Sequence, residues 1–140
     1  MSAERTELIE SLGDRNERHN NISSQIKHLI ALQIRLLREE QGLTQAELGE
    51  RAGMKQVRIS QLEDPTYSGP SINTLKRLAE ALDVALVVRF VPFSELVDWT
   101  SELSQEALVP KSFEHDARLR SEGVTQASNT GPRNASVDVT

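Results

Sequence analysis

Apolar residues recur at helical spacing from about residue 23 onward, and this pattern predicts a first helix over about 23–41. Ser23 or Ser24 can cap its start, and Gly42 suits its end because glycine accepts a left-handed conformation. The apolar face of this helix consists of Ile26, Leu29, Ile30, Ile34 and Leu37. A weaker upstream patch fits either a short amphipathic helix or a frayed tail, and it contains Leu8, Ile9 and Leu12.

A second helix is predicted to begin at Thr44 and to end before the turn at Gly53. Thr44 and Glu47 have the spacing of a capping box, in which each side chain satisfies a backbone N–H of the first turn. Leu48 faces inward together with Ala52. Gly53 then allows a tight turn, because a glycine adopts a positive φ at little steric cost.

A third helix is predicted over about 55–63, with Ile59 and Leu62 on its buried side. Asp64-Pro65 ends it, because the residue before a proline is pushed out of the helical region. A fourth helix is predicted over about 71–82, with Ser71 as its N-cap. Its apolar stripe consists of Ile72, Leu75, Leu78, Ala79 and Leu82.

The segment 84–91 is rich in β-branched residues and is followed by Pro92, which predicts a strand. A lone strand cannot satisfy its own backbone hydrogen bonds. The simplest solution is pairing with the same strand of a second subunit across a two-fold axis, which predicts a homodimer. The alternative is that this segment only extends the core packing. The predicted dimer strand contains Val84, Leu86, Val88 and Phe90.

The predicted fold class is therefore all-α, with one added C-terminal β-strand. A further helix is predicted over about 94–105, with Ser94 as its cap. We expect a polar N-terminal arm over 1–22, a helical domain over 23–92 and a helical C-terminal extension over 93–115. Residues 116–140 consist mainly of Ser, Thr, Asn, Gly and charged residues, which predicts a disordered tail.

Composition limits the classes of function. Of the 140 residues, 26% are charged and 37% hydrophobic, which is typical of a soluble globular protein. No stretch approaches the roughly 20 apolar residues that a membrane span needs, and the polar N-terminus does not resemble a signal peptide. Cysteine is absent, which excludes disulfides and thiol chemistry, and we expect a cytoplasmic protein.

The net charge of −5 argues at first against a nucleic acid partner, but the charge is unevenly spread. Residues 1–26 hold 3 basic and 5 acidic residues, and residues 93–140 hold 4 basic and 8 acidic residues. Residues 27–92, by contrast, hold 9 basic and 8 acidic residues. The local field at a docking surface decides DNA binding, so the chain average does not exclude it.

No set of residues indicates catalysis, a metal or a cofactor. His19, His28 and His115 are scattered and lack the spacing of metal ligands. The sequence contains no Gly-rich phosphate loop and no nucleophile elbow. We therefore expect a protein without enzymatic activity, metal or cofactor.

The segment 44–63 has the sequence form of a DNA-binding helix-turn-helix, whose second helix fits the major groove. Glutamine can pair with adenine, arginine and lysine suit guanine or phosphate, and valine can touch a thymine methyl. Helix N-termini can meet phosphate. The candidate DNA-binding residues are Gln45, Lys55, Gln56, Val57, Arg58, Ser60, Gln61, Ser71 and Asn73. For Lys55 or Arg58 taken alone, a solvated helix face is the alternative.

The segment from about Ile34 to Leu86 resembles the lambda-repressor/Cro-like (Xre-type) helix-turn-helix family. The residues that carry the resemblance include Gly42-Leu-Thr-Gln-Ala-Glu-Leu48, Ala52-Gly53, Ile59-Ser-Gln-Leu-Glu63 and Leu78-Ala-Glu-Ala-Leu82. The resemblance implies five packed helices, with the third helix in the major groove of double-stranded DNA. It also implies that Gln45 contacts phosphate or a base, and that bases are read by Gln56, Val57 and Gln61.

The resemblance further implies a salt bridge between Arg38 and Glu63 beside the DNA backbone. The alternative is two independent surface charges, each of little energetic value. The sequence departs from the family at Gly49, where alanine is common, and at Asp64-Pro65-Thr66-Tyr67, where many members carry a glycine-rich basic turn. The second departure puts the usual backbone contacts of that loop in doubt.

Met54-Lys-Gln-Val-Arg-Ile-Ser60 and Leu82-Asp-Val-Ala-Leu86 look similar to HipB-type antitoxins, family members that carry a strand after the fourth helix and whose dimers pair these strands. The leading hypothesis is a homodimeric, sequence-specific repressor that reads a palindromic operator. A second hypothesis is an antitoxin-type protein that restrains a toxin through residues 92–140 and autoregulates its operon. A third is a helix-turn-helix scaffold that has lost DNA binding. Residues 108–113 fit either a docking peptide for a partner or a tail that folds back on its own domain.

Overall fold

The computed structural model describes residues 2–67 and 69–123, which form eight α-helices and one short 3-10 helix. The N-terminal part contains α1 (Ala3–Ser11) and α2 (Arg15–Glu40). The central part contains α3 (Gln45–Ala52), α4 (Gln56–Leu62) and α5 (Ile72–Leu82). The C-terminal part contains α6 (Phe93–Ser101), α7 (Gln105–Leu108), the 3-10 helix (Phe113–His115) and α8 (Ala117–Ser121).

The hydrophobic core lies where the C-terminal half of α2 meets α3, α4 and α5. Leu48 of α3 and Ile59 of α4 are fully buried, and Leu82 of α5 is nearly so. Complete burial of one such side chain stabilises the fold by about 1.5–3 kcal/mol. The core cluster consists of Ile34, Leu37, Leu43, Leu48, Ala52, Ile59, Leu62, Leu78 and Leu82. The mostly helical character that the sequence predicts is therefore confirmed.

Local signals at both ends of α3 act as the sequence predicts. The Thr44 hydroxyl accepts a hydrogen bond from the Glu47 N–H, and the Glu47 carboxylate accepts one from the Thr44 N–H, both at 3.1 Å. The backbone N–H of Thr44 and then its hydroxyl hold the pKa of Glu47 below its usual range. At the other end, Gly53 has a φ of 66°, the left-handed conformation that glycine adopts most readily.

The first predicted helix is longer than expected, because it begins at Arg15 rather than near residue 23. Asp14 caps it by accepting a hydrogen bond of 3.0 Å from the Glu17 N–H. Residues 15–22 carry no apolar stripe, so hydrophobic periodicity could not show these two turns. Upstream, Ser2 caps α1 by accepting from the Arg5 N–H, so this segment forms the helix rather than the frayed tail.

The helix predicted over 94–105 begins at Phe93 and ends at Ser101, and Pro92 rather than Ser94 occupies its N-cap position, without a side-chain capping hydrogen bond. It packs against α1 rather than joining the core cluster. The Arg5 guanidinium fixes this contact with hydrogen bonds of 2.9 Å to the Asp98 carboxylate and 2.9 Å to the Ser101 hydroxyl. The core therefore draws on four helices, where the family resemblance implied five.

The strand predicted at 84–91 is wrong for the single chain, since the described residues contain no strand. No backbone group of residues 85–91 hydrogen-bonds another backbone group in the described ranges, so no second segment completes a ladder. Of the residues assigned to the dimer strand, Val84 is half-buried against the core. The side chains of Leu86, Val88 and Phe90 are exposed instead.

Residues 108–113 fold back on the chain's own domain, which was one of the two alternatives for this segment. Val109 packs against the core cluster, and the Phe113 N–H donates a hydrogen bond of 2.9 Å to the Asp83 carbonyl. Helix α8 lies inside the segment expected to be disordered, whereas residues 124–140 lie outside the described residues. Among the described helices, none combines the length and apolarity needed to cross a membrane.

The close approach of α3 to the following turn generates a prediction at Gly49. A Cβ there would lie 2.5 Å from the Met54 carbonyl oxygen and 3.5 Å from Cγ1 of Ile59. Such overpacking costs about 1–3 kcal/mol, more than the roughly 1 kcal/mol that alanine gains in helix propensity. We expect Gly49→Ala to lower the free energy of unfolding in urea denaturation. Gly69→Ala is the control, because its Cβ would meet no atom within 4 Å. A Gly49→Ala protein more stable than the wild type would contradict this close packing.

Candidate nucleic-acid interface

Helix α4 has one apolar and one polar face. Ile59 and Leu62 are buried in the core, which fixes the rotation of the helix about its own axis. Gln56, Val57 and Ser60 are exposed on the opposite side, and 67% of Val57 is accessible to solvent. Because Gln56 and Val57 are exposed, their side chains contribute little to the free energy of unfolding. This face carries groups that can pair with base edges or touch a thymine methyl.

The remaining candidates of this helix lie at its rims. Lys55 is the exposed N-cap residue and its side chain makes no capping hydrogen bond. Arg58 and Gln61 are half-buried. The Gln61 amide donates a hydrogen bond of 3.2 Å to the Tyr67 hydroxyl, which links α4 to the loop that follows it.

Arg38 and Glu63 form an ion pair that joins α2 to the C-terminal end of α4. Nε of Arg38 lies 2.6 Å from Oε1 of Glu63, and Nη2 lies 3.4 Å from Oε2. Only 13% of the Arg38 side chain and 4% of the Glu63 side chain are exposed. The Arg38 Nη1 also donates to the Leu43 carbonyl at 2.8 Å. The structure therefore has the expected salt bridge and not two independent surface charges.

Gln45 extends this ion pair to α3. Its amide Nε2 donates a hydrogen bond of 2.5 Å to Oε2 of Glu63, so one carboxylate binds side chains from two other helices. We name Arg38, Gln45 and Glu63 the carboxylate network. The half-buried Gln45 thus has a structural partner in this chain, in addition to the DNA contact that the resemblance implies.

The loop after α4 is held by local hydrogen bonds. The Asp64 carboxylate accepts from the Thr66 hydroxyl at 2.7 Å and from the Thr66 N–H at 2.9 Å. These two bonds, with the hydroxyl as the larger cause, lower the pKa of Asp64 from its usual range. The loop therefore adds a negative charge near α4, in place of the basic turn that the family resemblance implies.

The two candidates on α5 lie in its first turn and are exposed. Ser71 is the N-cap, and its hydroxyl accepts a hydrogen bond of 3.2 Å from the Thr74 N–H. Asn73 is exposed on the same turn. Both lie at a helix N-terminus, where backbone N–H groups and the helix dipole favour an anion such as phosphate.

Sequence reasoning missed two residues whose side chains hydrogen-bond α4 or the turn before it. Tyr67 contacts Gln61, and no motif indicated that contact. Arg77 of α5 hydrogen-bonds the turn between α3 and α4, but its partners lie 24 and 25 positions earlier in the chain. Within the described ranges, no group of three or more His, Cys, Asp or Glu side chains could hold a metal ion.

Comparison with known proteins identifies the same part of the chain. Residues 34–88 match a family model described as helix-turn-helix. A protein of Sinorhizobium fredii, named as an uncharacterized HTH-type transcriptional regulator, is 41% identical over 59 residues. This similarity covers 42% of the present chain, which spans only 30% of the length of that relative. No solved structure matches the chain significantly.

The carboxylate network predicts a large effect of Arg38→Ala on stability. The substitution removes the cationic partner of the Glu63 carboxylate, which is almost inaccessible to solvent in the wild type, and breaking such a pair costs on the order of 3 kcal/mol. Urea denaturation measures this loss. Arg35→Ala is the matched control, because Arg35 is exposed and its guanidinium lies 3.9 Å from Glu39 in a surface pair of little value. Equal losses for the two variants would contradict a structural role of the network.

Proposed function

We propose that this chain, whose residues 34–88 match a helix-turn-helix family model, is a sequence-specific DNA-binding regulator of transcription. The observation that carries the proposal is the division of α4 into a buried apolar face and an exposed face with Gln56, Val57 and Ser60. An α-helix with its side chains is about 10–12 Å in diameter, which suits a major groove about 12 Å wide. The relative's printed name, a transcriptional regulator, supports the same class of function.

The charges around this face favour a two-part recognition of DNA. Lys55 and Arg58 flank the exposed polar residues of α4, and the N-termini of α3 and α5 provide sites for phosphate. Phosphate contacts would supply affinity that weakens with salt, and base contacts through Gln56 and Val57 would supply specificity. Asp64 and Glu63 add negative charge behind this surface, but Arg38 neutralises Glu63.

We also propose that the protein acts as a homodimer that represses transcription at a palindromic operator. The segment 85–91 supports the dimer, because it combines unpaired backbone groups with exposed apolar side chains in the described part of the chain. Phe90 is fully exposed, and 77% of Val87 and 62% of Val88 are accessible. Antiparallel pairing with a second copy would satisfy both the backbone and the side chains. Two α4 helices about 34 Å apart would then enter successive major grooves.

The function is tested by selecting a duplex from a random-sequence library with the full chain and then measuring Gln56→Ala. We expect the variant to lose about 1–3 kcal/mol of binding free energy on the selected duplex and little on an unselected one. Asn20→Ala, an exposed amide on α2 outside residues 34–88, is the control and should bind like the wild type. Equal losses on both duplexes would contradict base reading by Gln56, and selection without enrichment would contradict the proposed function.

The dimer is tested by Val88→Asp with multi-angle light scattering. A charge in the middle of the paired segments would be desolvated, so we expect a dimeric wild type and a monomeric variant with an unchanged circular dichroism spectrum. Val57→Asp is the matched control, because it places the same charge on a similarly exposed valine of α4 and should leave the dimer intact. A wild type that stays monomeric at high protein concentration would contradict the proposal.

A further inference from the structure

Helix α4 is too short to determine its own position. It has seven residues, and its N-cap Lys55 makes no side-chain capping hydrogen bond. An isolated helix of fewer than about 12 residues is marginal in water. The helix that displays Gln56 and Val57 must therefore be held by the parts of the protein at its two ends.

The C-terminal end of α4 is held by the carboxylate network, since Glu63 is its C-cap residue. The N-terminal end follows a turn whose carbonyl groups bind a second arginine. Nη2 of Arg77 donates hydrogen bonds of 2.9 Å to the Ala52 carbonyl and 2.6 Å to the Gly53 carbonyl. Both ends of α4 are thus adjacent to an arginine from a different helix, α2 at one end and α5 at the other.

The contact at the turn is chemically well matched. The last carbonyl groups of α3 carry partial negative charge and have no partner within their own helix, so a guanidinium is a favourable donor. A Cβ at Gly53 would lie only 3.2 Å from Nη2 of Arg77, which shows how closely the two approach. Glu80 lies one turn further along α5, but the described residues contain no ion pair between it and Arg77. Arg77 is directed at the turn instead.

The element that carries Arg77 is firmly anchored. Leu78 and Leu82, on the same helix, are buried in the core with 2% of each residue exposed. Because α5 is anchored in the core, the Arg77 guanidinium holds the turn before α4 at a fixed position relative to α5. Loss of this guanidinium would release the turn and with it the N-terminal end of α4.

We propose that Arg77 is a positioning residue that sets the orientation of α4 and thereby the discrimination between DNA sequences. This inference rests on the proposed function, because it assigns support from a second helix to the same surface. Arg77 itself contacts no DNA. Its loss lowers specificity more than it lowers general affinity for DNA.

The test uses the full chain with Arg77→Ala, Arg77→Lys and Lys76→Ala. Binding is measured across a salt series on a duplex selected by the wild type from a random-sequence library and on an unselected duplex. We expect Arg77→Ala to weaken binding to the selected duplex roughly tenfold, the size of one lost base contact, and to leave the unselected duplex within about twofold. Arg77→Lys should restore part of the discrimination. Lys76→Ala removes the same charge from the neighbouring exposed position and should leave the discrimination ratio unchanged.

Amide hydrogen exchange of residues 54–62 is measured on the same variants without DNA. Faster exchange in Arg77→Ala, but not in Lys76→Ala, is expected. Equal losses on both duplexes with a reduced salt slope would make Arg77 a phosphate contact and overturn the proposal. Lower stability with unchanged discrimination would overturn it as well. If the wild type enriches no sequence, the proposed function fails, and unchanged exchange in Arg77→Ala would then refute the positioning role independently.

Discussion

The buried carboxylate of Glu63 is the constraint on which the geometry of the candidate interface depends. An ionised group with only 4% of its side chain exposed is costly unless charge and hydrogen bonds compensate it. Arg38 provides the charge and Gln45 a further donor, so α2 and α3 are both fixed to the end of α4. The position of the helix that presents Gln56 and Val57 follows from this requirement as much as from hydrophobic burial.

Hydrophobic packing and polar contacts have separate tasks in this domain. Ile59 and Leu62 determine which face of α4 is buried, and they leave the opposite face available. They fix the rotation of α4 about its own axis but not the tilt of that axis, because two buried side chains on a helix of seven residues are few contacts. Directional hydrogen bonds from Arg38 and Arg77 restrict that freedom. Reading a base edge requires such restriction, because a hydrogen bond weakens steeply outside a narrow range of distance and angle.

The sequence predicts the elements whose signals are local. The capping box at Thr44 and Glu47 and the glycine at position 53 need only neighbouring residues, and the structure confirms both. The polar first turns of α2 lack an apolar stripe, so periodicity could not detect them. The strand at 84–91 is predicted from β-branched composition, which signals a strand whether or not a pairing segment exists. The described part of one chain offers none.

The candidate site also contains features with local sequence signals and features that depend on distant residues. The exposed face of α4 follows from the spacing of Ile59 and Leu62, whereas the partners of Glu63 lie 18 and 25 positions away. The ion pair is expected only through the family resemblance, and the Arg77 contact has no signal in the sequence. The most direct test of DNA binding through α4 is hydrogen exchange of the full chain with and without a selected duplex. We expect protection at α4 and at the N-termini of α3 and α5. Protection confined to α6 or to the C-terminal segment, with α4 unchanged, would contradict this mode of binding.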